Sequence, residues 1–185
     1  KLNSGEGDPI EIGFITFKSN KLPLANKNIR QALSYTLDRE LISKQVSFGT
    51  RKPLRSIVPP KLQKKESSPW SKYKPNLART LLKKEGYCGK DILTIPLAFR
   101  SNIPADKLLA LTWKDQIKRD LSDCIEITLN GIESTTVYKQ LSEGAFEAVI
   151  LDWTGAYPDP EAYLNPLLSC NKIKNNTCLK GEAVF

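Results

Sequence analysis

The sequence predicts an α/β fold, with a mixed, partly parallel sheet flanked by helices. Three observations carry this. Apolar residues recur at helical spacing in several separate segments. Short strand-like runs lie between those segments. The two kinds alternate along the chain, the order that builds a sheet with crossover helices. A chain of 185 residues with 40% hydrophobic and 26% charged residues is long enough and apolar enough for one soluble domain with its own core.

Taken in order, "IEIGFITF" (10–17) reads as a strand. A helix pair over 27–48 follows. Asn26 or Asn28 is placed to cap the first helix, whose Ile29, Ala32, Leu33 and Leu37 share a face. Asp38 caps the second, with Leu41, Ile42 and Val46 on one side and Gly49 as the stop. Residues 50–74 hold Pro53, Pro59, Pro60 and Pro69 and read as an irregular connection. Pro75 opens a helix over 76–85 with a stripe of Leu77, Ala78, Leu81 and Leu82 before Gly86.

A strand over 92–99 contains Pro96, which argues for an edge or a bulge because proline cannot donate to a ladder. Leu108, Leu109, Trp113, Ile117 and Leu121 mark a helix over 105–121. "CIEITLN" (124–130) alternates as a half-buried strand does. A short helix through Val137, Tyr138 and Leu141 ends at Gly144, and an apolar strand over 146–153 follows.

Composition narrows the function classes. There is no histidine, so a Ser-His or Cys-His nucleophile pair cannot be assembled from this chain. The commonest metal ligand is missing as well. No catalytic residues, metal or cofactor are expected. No apolar run approaches the roughly 20 residues of a membrane span. "KLNSGEGDPI" lacks the apolar core of a signal peptide, and the absence of methionine marks the chain as a mature product or a piece of something longer.

Cys170 and Cys178 flank a short polar stretch that a disulfide would close. Cys88 and Cys124 each precede a strand, and their sulfurs meet if those strands are parallel neighbours. Two disulfides imply an oxidising compartment; four free thiols are the alternative. The net charge of +8 has its densest cluster at Lys61, Lys64, Lys65, Lys72 and Lys74 around Trp70 and Tyr73. A solvated loop explains the cluster; a nucleic-acid-binding module using residues 61–74 is the competing reading.

The segment "FEAVILDWTGAYPDPEAYL" (146–164) ends a strand in turn chemistry that holds two aromatic residues, Trp153 and Tyr157, and a carboxylate, at a place where loops commonly carry function. It also resembles a motif of the family 5 extracytoplasmic solute-binding proteins, the peptide, dipeptide and nickel receptors of ABC importers. "NKNIRQALSYTLDRELI" (26–42) is similar to their signature helix pair, with Arg30, Ala32, Leu33, Leu37, Asp38, Arg39 and Ile42 matching. "YKPNLARTLLKKEGY" (73–87) is similar to a third motif. The order and spread of the three cover nearly all of the chain.

The resemblance implies a periplasmic-binding-protein-like fold of two lobes joined by a hinge. This chain, 1–185, would be the C-terminal, post-hinge lobe. The whole protein would be periplasmic or extracytoplasmic, with a lipid anchor in the missing N-terminal part left open. Its partners would be a peptide or peptide-like solute, the missing lobe and the importer's permease, and no nucleic acid.

The ligand wall would be Asp152, Trp153, Thr154, Gly155, Ala156 and Tyr157. One departure stands out. In peptide-binding members an acid three positions after the tryptophan pairs with the ligand's α-amine, and here that position is Ala156. The amine is then expected to be blocked, absent, or held by Asp152 or by the other lobe. Asp159 matches the family's Asp-Pro acid, and a helix cap explains it.

Overall fold

The computed structural model describes residues 10–63, 72–141, 143–170, 172–175 and 177–180. A four-stranded sheet runs in the order β1-β4-β2-β3, where β1 is Glu11–Phe17, β2 Leu93–Arg100, β3 Ile125–Ile132 and β4 Ala148–Thr154. β2 is parallel to both β3 and β4, and β1 joins antiparallel at the other side of β4. The sheet is therefore mixed, with helices packed on it, as the alternating pattern requires.

The helices are α1 (Lys27–Tyr35), α2 (Arg39–Ser47), α3 (Pro75–Lys84), α4 (Pro104–Leu121), α5 (Ser134–Leu141) and α6 (Glu161–Leu168). A 3-10 turn spans Pro60–Leu62, and a hairpin of β5 (Lys172–Lys174) and β6 (Thr177–Lys180) follows α6. Caps explain several boundaries. Asn26 Oδ1 accepts the Asn28 N–H at 2.8 Å, and Asp38 Oδ1 accepts the Leu41 N–H at 3.1 Å. Pro75 and Pro104 stand in the first turns of α3 and α4, where a missing N–H costs nothing.

Two details differ from the sequence expectation. The chain leaves α2 through two consecutive left-handed residues, Phe48 (φ 52°) and Gly49 (φ 81°), rather than through glycine alone. Pro96 lies in a strand that is interior to the sheet. β4 pairs with β2 only at Leu97 and Ala98, however, so Pro96 sits where β2 has β3 alone beside it. The missing N–H leaves no ladder partner stranded.

Strand alternation divides the core. Leu93, Ile95, Leu97, Ile125, Ile127, Ala148 and Ile150 face one side, against Ile29, Leu33, Leu82, Trp113, Ile117 and Leu121 of the helices. Ala98, Val149 and Leu151 face the other, against Val137 and Phe146. Burial of Leu, Ile and Val side chains contributes about 1.5–3 kcal/mol each, which makes the first cluster the main source of stability. Polar groups there are paired: Trp113 Nε1 donates to Thr36 Oγ1 at 2.9 Å, and Gln116 Oε1 accepts the Asp38 N–H at 3.1 Å.

Disulfides join Cys88 to Cys124 and Cys170 to Cys178. The first bridges the segments that lead into β2 and β3, the parallel neighbours. The second closes the β5–β6 hairpin. Of the lysine-rich segment, Lys64, Lys65 and Trp70 lie outside the described residues. Tyr73 is tied to α4, its hydroxyl donating to Asp120 and accepting from Arg119 at 2.8 Å.

Candidate functional site

The buried run Ala148–Leu151 delivers β4 to the surface, and the chain then turns through residues 154–160 into α6. Backbone and side chains fix this turn. The Asp159 N–H donates to Tyr157 O at 2.9 Å, and Asp159 Oδ1 accepts the Glu161 N–H at 2.8 Å, capping α6. Trp153 Nε1 donates to Ala162 O at 2.8 Å, which pins the half-buried indole to the start of that helix. Its ring packs with Ile12, Val58, Ala162 and Tyr163.

Gly155 is required by packing. A Cβ there would lie 2.7 Å from Tyr163 Cε2 and 2.8 Å from Cζ, closer than side chains tolerate. Tyr163 is itself held in place, its hydroxyl donating to Ile10 O beside β1.

A shallow pocket of about 300 Å³ opens on this turn. Trp153, Thr154, Ala156 and Tyr157 line one side of it, and Glu161, Ala162, Asn165 and Pro166 of α6 line the other. Four of the six expected wall residues therefore meet in one hollow. Gly155 lies buried beneath Tyr163.

Asp152 is turned elsewhere. Arg100 Nη1 donates to its Oδ1 at 2.9 Å and Nη2 to its Oδ2 at 2.8 Å. Arg100 also gives Nε and Nη2 to Asp106, at 2.7 and 3.0 Å, and Nη1 to the Tyr138 hydroxyl at 2.9 Å. Hydrogen bonds to Asp106 and, next, to Asp152 raise the guanidinium's pKa against the opposing pull of burial. Such a planar fork suits two carboxylates at once.

Glu161, Asn165 and Arg100 were not singled out from the sequence. The first two stand at i and i+4, the spacing that puts side chains on one helix face, and this was the available signal. A larger hollow of about 390 Å³ lies between Leu22, Pro23, Asn26, Ile29, Glu85 and Tyr87. Glu85, its carboxylate, already accepts from the side-chain amides of Asn26 and Asn28, at 2.5 Å each. Among the described residues, no group of three or more His, Cys, Asp or Glu side chains is placed to hold a metal ion.

Residues 1–175 match the family described as bacterial extracellular solute-binding proteins, family 5 Middle. Heme-binding protein A of Haemophilus influenzae is 28% identical over 189 residues, covering 95% of this chain and 32% of that protein. Oligopeptide-binding protein OppA of Bacillus subtilis is 28% identical over 171 residues, covering 87% of this chain and 30% of that protein.

Among solved structures, a Pseudoalteromonas dipeptide-binding protein in complex with Met-Leu superposes with a TM-score of 0.80 at 26% identity. It covers 95% of this chain and 34% of the other. The Escherichia coli murein tripeptide-binding protein MppA superposes at 0.74 with 25% identity, covering 86% of this chain and 32% of the other. The chain thus spans about a third of the length of the relatives it matches.

Proposed function

The chain belongs to family 5 of the bacterial extracellular solute-binding proteins, and from that premise we propose that it is the C-terminal, post-hinge lobe of a substrate-binding component of an ABC importer. The whole protein captures a peptide or peptide-like solute between two lobes, outside the cytoplasm, and hands it to a permease. The observation that carries this reading is the pocket on the turn after β4, where Trp153, Thr154, Ala156 and Tyr157 meet a helix face. Aromatic walls and exposed backbone beside a small residue suit non-covalent capture of an extended solute.

Capture works through closure. A solute that touches both walls favours the closed arrangement by its differential contacts. In this lobe Trp153 gives apolar surface, Thr154 gives backbone hydrogen bonds and Tyr157 forms a rim. Gly155 lets the turn lie close on Tyr163, and Ala156 leaves space where a larger residue would fill the wall. Asp152, gripped by Arg100, braces the end of β4 rather than meeting the solute. In the described part of the lysine-rich segment, Tyr73 is engaged with Asp120 and Arg119.

The test is calorimetry on the full-length protein with a panel of short peptides, free and N-acetylated. Saturable binding of any of them supports the reading. Absence of binding throughout would remove peptides as the solute class.

A further inference from the structure

We propose that the Cys88–Cys124 disulfide is a site of thiol–disulfide exchange. Its substrate is a small thiol, which attacks at Cys88 and displaces Cys124 as a thiolate held by Arg79. The proposal is independent of the solute-capture reading above.

The two sulfurs sit in opposite surroundings. Cys124 is fully buried, and Arg79 Nη1 lies 3.4 Å from its Sγ. Cys88 is half-buried on the turn after α3, and its Sγ lies 3.9 Å from the Arg79 carbonyl oxygen. A cationic N–H favours negative charge on the first sulfur, and a carbonyl oxygen disfavours it on the second. The more accessible sulfur is thus the one open to attack, and the buried one is the better leaving group. Burial alone would oppose a thiolate at Cys124, and Arg79 is placed to offset that cost.

Arg79 is held in position by its other contacts. Its Nη2 donates to Asp120 O at 2.7 Å, and its Nη1 also pairs with the Asp123 carboxylate. Asp123, 53% exposed, offsets part of the charge that Cys124 feels. The hairpin disulfide offers a contrast: Cys170 Sγ lies 3.1 Å from Lys172 O, an acceptor that disfavours a thiolate there.

In the step, the small thiol reaches Cys88 as its thiolate, having left its proton to solvent. A new S–S bond forms between that sulfur and Cys88 Sγ as the Cys88–Cys124 bond breaks. The electron pair of the broken bond stays on Cys124, beside the Arg79 N–H. One disulfide is exchanged for another, so the small thiol is the only co-reactant.

The experiment treats the full-length protein with L-cysteine, quenches with acid at set times, and labels free thiols after unfolding. Mass spectrometry of the peptides then locates each cysteinyl adduct. Arg79→Gln and Asp123→Asn are run beside the wild type, with Cys170–Cys178 as the internal reference. The wild type should carry the adduct on Cys88 and the free thiol on Cys124. Arg79→Gln should slow this opening about fivefold and Asp123→Asn should speed it about twofold, through the stability of the leaving thiolate. The reference disulfide should open at one rate in all three. The sign separates charge from structure, because a variant that merely loosens the fold opens the bridge faster.

An adduct on Cys124, no adduct on Cys88, or an Arg79→Gln rate equal to or above that of the wild type overturns the assignment. If Arg79→Gln does not fold, Asp123→Asn decides: a faster opening confined to Cys88–Cys124 upholds the site, and any other result overturns it.

Discussion

Arg100 closes a two-pronged grip on Asp152 through Nη1 and Nη2, while Nε and the shared Nη2 hold the buried Asp106. The guanidinium is 5% exposed, Asp106 8% and Asp152 35%. One side chain thus joins the end of β2 to the start of α4 and the end of β4, the strand that presents the candidate site.

Replacing Arg100 with Met should leave Asp106 buried without a partner and cost about 3–5 kcal/mol, as breaking one side of a buried pair typically does. Asp152→Asn should cost less, because Asp152 reaches water and Asp106 keeps its arginine. Urea unfolding of the three proteins measures the difference, and a larger loss for Asp152→Asn would contradict this ranking.

Gly155→Ala should destabilise by about 1–3 kcal/mol, the usual effect of forcing a methyl group into a packed site. The added Cβ meets the Tyr163 ring at 2.7 Å, and that ring is tethered at Ile10, so it cannot simply swing away. Thermal melting reads the effect. Gly155→Ala combined with Tyr163→Leu should lose less than the two single changes added together.

Reduction should act unequally on the two disulfides. In the chain-entropy account the Cys88–Cys124 link, with a sequence separation of 36, constrains the unfolded chain by about 4 kcal/mol. The Cys170–Cys178 link, with a separation of 8, gives about 2.5 kcal/mol. Paired Cys→Ala replacements should lower the unfolding midpoint in that order.

Acid should weaken the fold through carboxylates whose pKa is lowered in the native state. Arg119 holds Asp120 down, Arg79 holds Asp123 down, the side-chain amides of Asn28 and Asn26 hold Glu85 down, and Thr135 holds Glu133 down. A folded value below the unfolded one stabilises the fold above the ordinary carboxylate range, about 4. That stability is lost as pH falls through the folded values. Melting temperature should be nearly flat above about pH 5 and fall below it. Asp120→Asn should shallow the fall.

The fold was readable where local periodicity and burial agree. On α3, Ala78 and Leu82 of the expected stripe are fully buried, while Leu77 ends 39% exposed at its margin. On β3, Ile125 and Ile127 are buried on one face as the alternation requires. Much of the pocket wall was readable too, since Trp153, Thr154, Ala156 and Tyr157 share one turn. What stayed hidden depends on distant partners. Asp152 looked available because Arg100 lies 52 positions away, and nothing near either residue announces the other. Glu161 and Asn165 passed unnoticed because only the fold brings α6 against the turn to line the same pocket.

β1 pairs along its whole length with β4, Glu11 opposite Thr154 and Phe17 opposite Ala148, and with no other strand among the described residues. Its partner lies most of the chain away, whereas β2, α4 and β3 are consecutive and already share a core and a disulfide. Closing the longer loop costs more entropy before any contact rewards it. The sheet should accordingly grow from β2 and β3 outward, with β1 docking late. In the folded protein β1 should also be the first strand to detach. Amide hydrogens of Phe14 and Thr16, which face β4, should then exchange with solvent ahead of those of Ile95 and Thr128, which lie between β2 and β3. Since Ile10, at the mouth of β1, holds the Tyr163 hydroxyl, transient release of this strand would loosen the ring that covers Gly155 before the rest of the sheet gives way.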